Sequence, residues 1–454
     1  MSSGILASSK LKLPGTETPR TIPPDSLILY GVFALLFFSS LAFGAVEPWA
    51  IFVLEACAAI LFTRWAYQQA RSGTITIRGN PLFLPMAAFG AVVLLQLILR
   101  RSAYVHDTLE SVMLYLAYLL LAFLVCQTLN RGIQARTLAC AISAFGLFVA
   151  IFALLQGLSG TTKLYWIRIP RLGGWIYGPY VNHNHYAGLM ELLLPVPLIL
   201  CLTRFSRGWI RTTAMITAAL MAGTIFLSGS RGGMLALIVE LVVLATFLLR
   251  TQRAPRAVAT IGMFFVVTLG LLVWIGGGKL ADRLSSIRTD ARSEVSGGTR
   301  WNLNKDSFHM ATKRPLLGWG LGTFPIVYPQ YRTFYTNFYV NEAHNDYLQF
   351  LTETGALGFA AVLWFIGSLY RNALRRIQDW TTDLNGAIAV AALLGCTGIL
   401  IHSFVDFNLQ IPANAAWFYV MAVVAASRYA VETRQRVRRV RNRVESDTSI
   451  AQNT

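Results

Sequence analysis

Residues 341–369 read NEAHNDYLQFLTETGALGFAAVLWFIGSL, from Asn341 to Leu369. A dense polar patch, Glu342-Ala343-His344-Asn345-Asp346, runs directly into an apolar segment of membrane-spanning length. Hydrocarbon penalises each of those polar groups. A chain that places them at the entry of such a segment is built for a membrane, with a polar requirement at that depth.

The rest of the sequence agrees. Of 454 residues, 55% are hydrophobic and only 13% charged, with a mean hydropathy of +0.52. Soluble domains carry about 25% charged residues. Apolar runs of about 18 residues or more recur along the length, so the fold class is an all-α polytopic membrane protein. Residues 1–25 are polar and rich in Pro, Ser and Thr, without a short apolar core and cleavage site, so the first run is expected to remain as a helix. Cys57, Cys126, Cys140, Cys201 and Cys396 all lie in apolar runs without paired spacing and read as small core hydrophobes.

About 12 spans are expected, near 27–44, 48–67, 81–99, 109–128, 135–158, 184–203, 209–228, 231–249, 257–275, 345–370, 385–405 and 412–430. The chain then divides into an N-terminal tail (1–26), spans one to nine (27–275), a long polar loop (276–343), spans ten to twelve (344–430) and a basic tail (431–454). With the N-terminus inside, 24 of the 39 lysines and arginines fall on cytoplasmic connections. Nine more lie in the long loop, to which the positive-inside rule does not apply, and six lie elsewhere outside. Both termini are therefore placed in the cytoplasm. The formal charge of +18 follows this topology rather than a basic soluble domain, so nucleic acid is not an expected partner. The arginines of the tail, Arg434 to Arg443, are expected to rest on anionic lipid.

Five polar clusters then fall on the outer face: Asn182-His183-Asn184-His185, Ser228-Gly229-Ser230-Arg231-Gly232-Gly233, the loop around Arg300, Glu342–Asp346, and His402-Ser403-Phe404-Val405-Asp406. A shared outward site explains the coincidence, although helix ends are polar in any case. Arg231 opens a span, where free backbone N–H groups and a guanidinium together favour an anion; an interfacial snorkelling arginine is the plain alternative. His344 stands at a helix start, available as a proton acceptor or as a capping group, with Asn345 and Asp346 in the first turn. Asn182, His183, Asn184 and His185 are candidates for hydrogen bonds to sugar or phosphate, or for helix capping. An H-x-H pair without partner cysteines or spaced carboxylates is not a metal site. Thr299-Arg300-Trp301 begins a possible amphipathic helix carrying Trp301, Leu303, Phe308 and Met310, which ends at Lys313-Arg314-Pro315. Gly318–Phe324 then reads as turns. Such a piece suits the bilayer surface, as a wall over a cavity.

Outward arginines, a candidate base and no metal cluster suit one reaction class. A lipid-diphosphate leaving group needs charge stabilisation, which guanidinium forks supply. An acceptor hydroxyl needs its proton removed. ATP and nucleotide sugars are absent outside the cytoplasm, so the energy must be stored in the donor. Glycosyl transfer from a polyprenyl diphosphate meets all three conditions.

NHNHYAGL at 182–189, SRGG at 230–233, GWGLGTF at 318–324 and AHNDYLQFLTETGALGF at 343–359, in this order around a long ninth-to-tenth loop, resemble the O-antigen ligase/polymerase superfamily. The resemblance covers about residues 180–410 and extends loosely to Phe43–Trp49. It implies a GT-C-like fold in the bacterial inner membrane, with short helices in a periplasmic loop. It also implies a metal-independent, inverting glycosyltransferase without cofactor, its active site periplasmic. The implied donor is an undecaprenyl-diphosphate-linked glycan and the acceptor a glycan or lipid A-core. Arg231, Arg300 and His344 match the family's two arginines and histidine, Arg300 by loop position and the following Trp301. O-antigen ligase and O-antigen or exopolysaccharide polymerase activities fit equally, and protein O-oligosaccharyl transfer is an alternative. Transport is the reading from another class; Glu55, Glu191 and Glu240 lie within spans, but no repeat relates them.

Overall fold

The computed structural model describes residues 24–73, 75–170, 174–250, 259, 261–270, 272–273, 297–336 and 339–427. The expected tails fall almost wholly outside the described residues, as does the first part of the long loop, 274–296. The described chain is helical, with isolated β-bridges only at Leu164–Arg168 and Tyr177–Tyr180.

The helices in chain order are α1 (Pro24–Leu41), α2 (Pro48–Ser72), α3 (Phe83–Ile98), α4 (Val105–Thr128) and α5 (Gly132–Leu158). There follow α6 (His183–Leu193), α7 (Pro195–Leu202), α8 (Trp209–Ser228), α9 (Arg231–Leu249) and α10 (Ile261–Gly270). The chain continues with α11 (Gly297–Lys313), the short α12 (Phe324–Val327), α13 (Asp346–Leu374), α14 (Leu384–His402) and α15 (Pro412–Ala426). Among the described residues eight segments are long and apolar enough to cross a membrane, α6 and α7 counting as one, so this is a multi-pass membrane protein. Four shorter apolar helices, Ser26–Leu41, α3, α10 and α15, occupy the other expected spans.

Burial orders the bundle. In α6–α7 and α14, 89% and 83% of the apolar window is buried, against 22% in α2, so the first two form the centre and α2 faces outward. Small residues allow this close centre. A Cβ on Gly395 of α14 would come within 2.7 Å of the Leu192 carbonyl of α6. The break between α6 and α7 falls at Pro195, which has no N–H to continue the ladder.

Two local devices bring helix ends to one face. Gly229, left-handed at φ 80°, closes α8 with its N–H on Phe226 O, and Ser230 then caps α9 through its Oγ, which accepts from Gly233 N at 3.1 Å. Arg231 is thereby the first residue of α9. At α13, Asn345 caps the helix by accepting from Leu348 N at 3.1 Å. The helix is interrupted at Gly355, with φ 64° and ψ −168°. The carbonyls freed at that break are taken by the turn segment: Trp319 N donates to Thr352 O and Gly320 N to Glu353 O, while Ala356 N donates to Pro315 O. The segments 315–320 and 352–357 are thus interlocked backbone to backbone. Neither Gly318 nor Gly355 has room for a Cβ, which would run into the other segment's main chain.

The helix expected at Thr299–Lys313 is α11. Its apolar residues do not form one face, however. Leu303 and Met310, seven apart, are buried against Phe324, Val327 and Tyr328, whereas Trp301 and Phe308, also seven apart, are 72% and 57% exposed. At 100° per residue, positions 301 and 303 point to opposite sides. The helix therefore belongs to a small loop core of its own and presents an aromatic pair outward.

Candidate active site

The site grows from the connection between α14 and α15, residues 403–411, which lies beside the start of α13. Asp346 holds the two together. It is fully buried, its N–H donates to Ser403 O, and its carboxylate accepts from Ser403 Oγ (2.7 Å), Leu409 N (3.1 Å) and Gln410 Nε2 (3.2 Å). Those bonds occupy both carboxylate oxygens, so Asp346 acts on the site by fixing this connection. Asn345 is likewise spent as the cap of α13, and Asn182 as the cap of α6, its Oδ1 accepting from Asn184 N at 2.8 Å. His183 is buried against Trp175, and Asn184 is buried beside it.

The fixed connection delivers Asp406 to the centre. Its carboxylate is fully buried, and three cationic or basic groups from distant chain segments converge on it. His344 Nδ1 lies 3.4 Å from Oδ1, His185 Nε2 3.9 Å from Oδ1, and the Arg300 guanidinium 3.8 Å from Oδ2. Side-chain exposure rises outward, from 1% at Asp406 to 8% at His185, 16% at His344 and 25% at Arg300. A buried negative charge is thus overlaid by two imidazoles and a guanidinium. Burial pushes the Asp406 carboxyl up, but the His344 contact and the nearby Arg300 and His185 outweigh it and hold the group well below the ordinary carboxylate range. Phe407 separates the two histidines, each ring meeting it edge-on at 4.6–4.7 Å.

His344 precedes the cap of α13 and has φ 50°, a left-handed backbone that few non-glycine residues adopt. Such strain persists where the surroundings over-determine it. Here the flanking Asn345 cap, the buried Ala343 and the Asp406 contact do so. Glu342 behaves oppositely to Asp406. Burial, then repulsion by Glu353, raises its carboxyl to about 8, with the Gln349 side-chain amide donating to it and opposing the rise.

Arg231 is exposed at the first position of α9. Its neighbour Gly232 lies against His402 and Val405, so the α9 N-terminus adjoins the same connection. All three anticipated catalytic residues therefore border the 402–410 region. His185 joins them, while Asn182, Asn345 and Asp346 build the frame. No group of three His, Cys, Asp or Glu side chains is placed to hold a metal ion among the described residues. Asp406 is the hub that sequence reasoning did not single out, although the cluster His402–Asp406 was its visible signal.

A search among curated proteins finds no match to this chain. A family model described as O-Antigen ligase matches residues 216–363, from α8 through the break in α13, a stretch that contains Arg231, Arg300 and His344 but neither His185 nor Asp406. That stretch, rather than the whole chain, is what is similar to the O-antigen ligase family.

Proposed function

We propose that this protein is a membrane glycosyltransferase that moves a glycan from undecaprenyl diphosphate to an acceptor sugar hydroxyl at the periplasmic face, with both termini in the cytoplasm. The observation that carries the reading is the convergence of His344, Arg300 and His185 on buried Asp406, beside Arg231 at the start of α9. A lipid-borne diphosphate is held at headgroup depth, and these helix ends lie where it would be met.

The residues divide the work. Arg231, with the free N–H groups of α9, binds the diphosphate and balances charge as the leaving group departs. Arg300, a quarter exposed on the rim, faces the same anion and is kept in place by Asp406. Asp406 takes the Nδ1–H side of His344, which leaves Nε2 with a lone pair for the acceptor proton. The acceptor oxygen attacks the anomeric carbon from the side opposite the diphosphate. The bond from carbon to diphosphate oxygen breaks, its electron pair leaves with the lipid diphosphate, and the hydroxyl proton passes to His344. One such displacement inverts the anomeric centre. The contact of 3.4 Å between His344 and Asp406 is at the long edge of hydrogen bonding, as is common before substrate binds.

The test is direct. Purified protein is incubated with undecaprenyl-diphosphate glycan and, separately, with lipid A-core, oligosaccharide and peptide acceptors. A ligated or elongated product that is lost in His344→Asn supports the reading, and the productive acceptor identifies the activity. Absence of transfer to every acceptor refutes it.

A further inference from the structure

Beneath the site runs a line of ionisable groups that the transfer reaction does not use. His402, the last residue of α14, is 1% exposed, and its Nδ1 lies 2.9 Å from Glu191 Oε1 of α6. Glu191 is fully buried, and its second oxygen has no hydrogen-bond partner. Glu240 of α9, 2% exposed, has no partner on either oxygen. Three glycines make room for this line. A Cβ on Gly233 would reach 3.0 Å from Glu191 Oε1, one on Gly398 would collide with Glu240, and one on Gly232 would lie 2.5 Å from His402 Cδ2 and Nε2. Glu240 lies nine residues into α9, about 13 Å below its start. At that depth an unpaired carboxylate is expensive and marks function by default.

His402 ties the line to the anion site. Its Nε2 is buried, has no hydrogen-bond partner, and packs on Gly232 in the first turn of α9, next to Arg231. We infer that Glu191 and His402 form a buried dyad whose imidazolium strengthens the diphosphate site at the start of α9, with Glu240 holding the balancing proton. This rests on the proposed function above and adds two positioning residues and a charge reservoir to it. In the competent state Glu191 is ionised, His402 doubly protonated and Glu240 protonated. Each buried charge then has a counter-charge, and the imidazolium end of the pair is the one that adjoins the start of α9. The other ionisable groups that feel this line are Asp406, Arg300 and His185 near His402, with His183 and His344 beside His185 in turn, and Cys396 near Glu240.

The sign follows. Imidazolium is present at low pH and lost as pH rises, so affinity for a diphosphate should fall with rising pH through the titration of the dyad. The probe is undecaprenyl diphosphate, with undecaprenol as control, bound to purified protein in detergent from pH 5 to 9, beside a thermal unfolding scan. Glu191→Gln and His402→Gln should each weaken diphosphate binding roughly ten- to thirtyfold at pH 6 and flatten its pH dependence. Because removing one partner of a buried pair can unfold a protein, the double variant Glu191→Leu/His402→Phe is the second arm, as apolar replacement of both partners is tolerated. It should fold, bind the diphosphate as weakly as the single variants, and show no pH dependence. Wild-type affinity and pH dependence in the folded double variant would overturn the dyad while leaving the transferase reading intact. Wild-type protein that binds undecaprenyl diphosphate no better than undecaprenol would overturn both.

Discussion

Asp406→Asn removes one charge from the hub and little else. The side chain keeps its shape, and an amide oxygen still accepts the Phe407 N–H that Oδ1 takes at 2.9 Å. What is lost is the attraction to Arg300 at 3.8 Å and the carboxylate 3.4 Å from His344 that, on the proposed mechanism, sets its tautomer. Coulomb's law with an effective dielectric of about 20 gives roughly 4 kcal/mol for a unit pair at 3.8 Å. Desolvation of a carboxylate this buried offsets much of that, leaving about 1–3 kcal/mol in net stability. The catalytic loss should be larger, about 10²–10⁴-fold in turnover, because an amide can stabilise the wrong tautomer and Arg300 loses its anchor. Asp406 is held well below the ordinary carboxylate range, so its contribution is present above that range and lost only as pH falls through the lowered value. From pH 5 to 8 the wild-type group stays charged, and the defect of the variant should be constant across that window. The assay is single-turnover transfer by purified protein with undecaprenyl-diphosphate glycan, with melting temperature measured in parallel. Turnover within threefold of wild type in a folded variant would refute the hub.

Four further outcomes are expected. Arg231→Lys keeps the charge but loses the fork, so donor affinity and turnover should fall together, whereas His344→Asn, which tolerates the left-handed backbone at φ 50°, should bind donor normally and lose turnover about 10²–10⁴-fold; equal loss of donor binding would make the histidine a ligand. Glu342 holds its proton to about pH 8 when folded and releases it nearer 4.5 when unfolded, so stability should fall as pH rises between those values. Glu342→Gln, which keeps an acceptor for the Gln349 amide, should flatten that fall and raise the melting temperature at pH 8, by on the order of 1 kcal/mol given the partial exposure of the site. Gly318→Ala drives a Cβ into the Glu353 main chain at a residue with φ 68°, and should cost about 2–4 kcal/mol, read as loss of monodisperse protein. A cysteine at Tyr335, 86% exposed in the loop, should react with an impermeant thiol reagent in cells, and one at Gln378, between α13 and α14, should not; the reverse pattern inverts the topology.

The sequence by itself determined the solvent. Apolar runs of membrane length are read without tertiary information because a bilayer imposes a fixed thickness on every helix. Two helix starts were legible for the same local reason, at Ser230-Arg231 and at His344–Asp346, where Ser230 and Asn345 cap the helices they precede. Arg231 and His344 stood out as polar groups at the ends of apolar runs, whereas Arg300 was picked by its loop position and the following Trp301 through the family resemblance. What only the tertiary structure decided is which groups meet. Asp406 becomes the hub because Asp346, about sixty residues earlier, clamps its loop, and no local pattern encodes a clamp across that separation. The Thr-Glu-Thr-Gly stretch of α13 and the glycine turns at 318–322 look unrelated in the chain, yet each exists to fit the other, since a broken helix inside the bundle must find donors for its freed carbonyls. The two faces of α11 depended on a loop core that periodicity alone does not reveal. Glu191, Glu240 and His402 were single in-span polar residues until packing set them in a line, because proximity between three helices is a property of their crossing and not of any one of them.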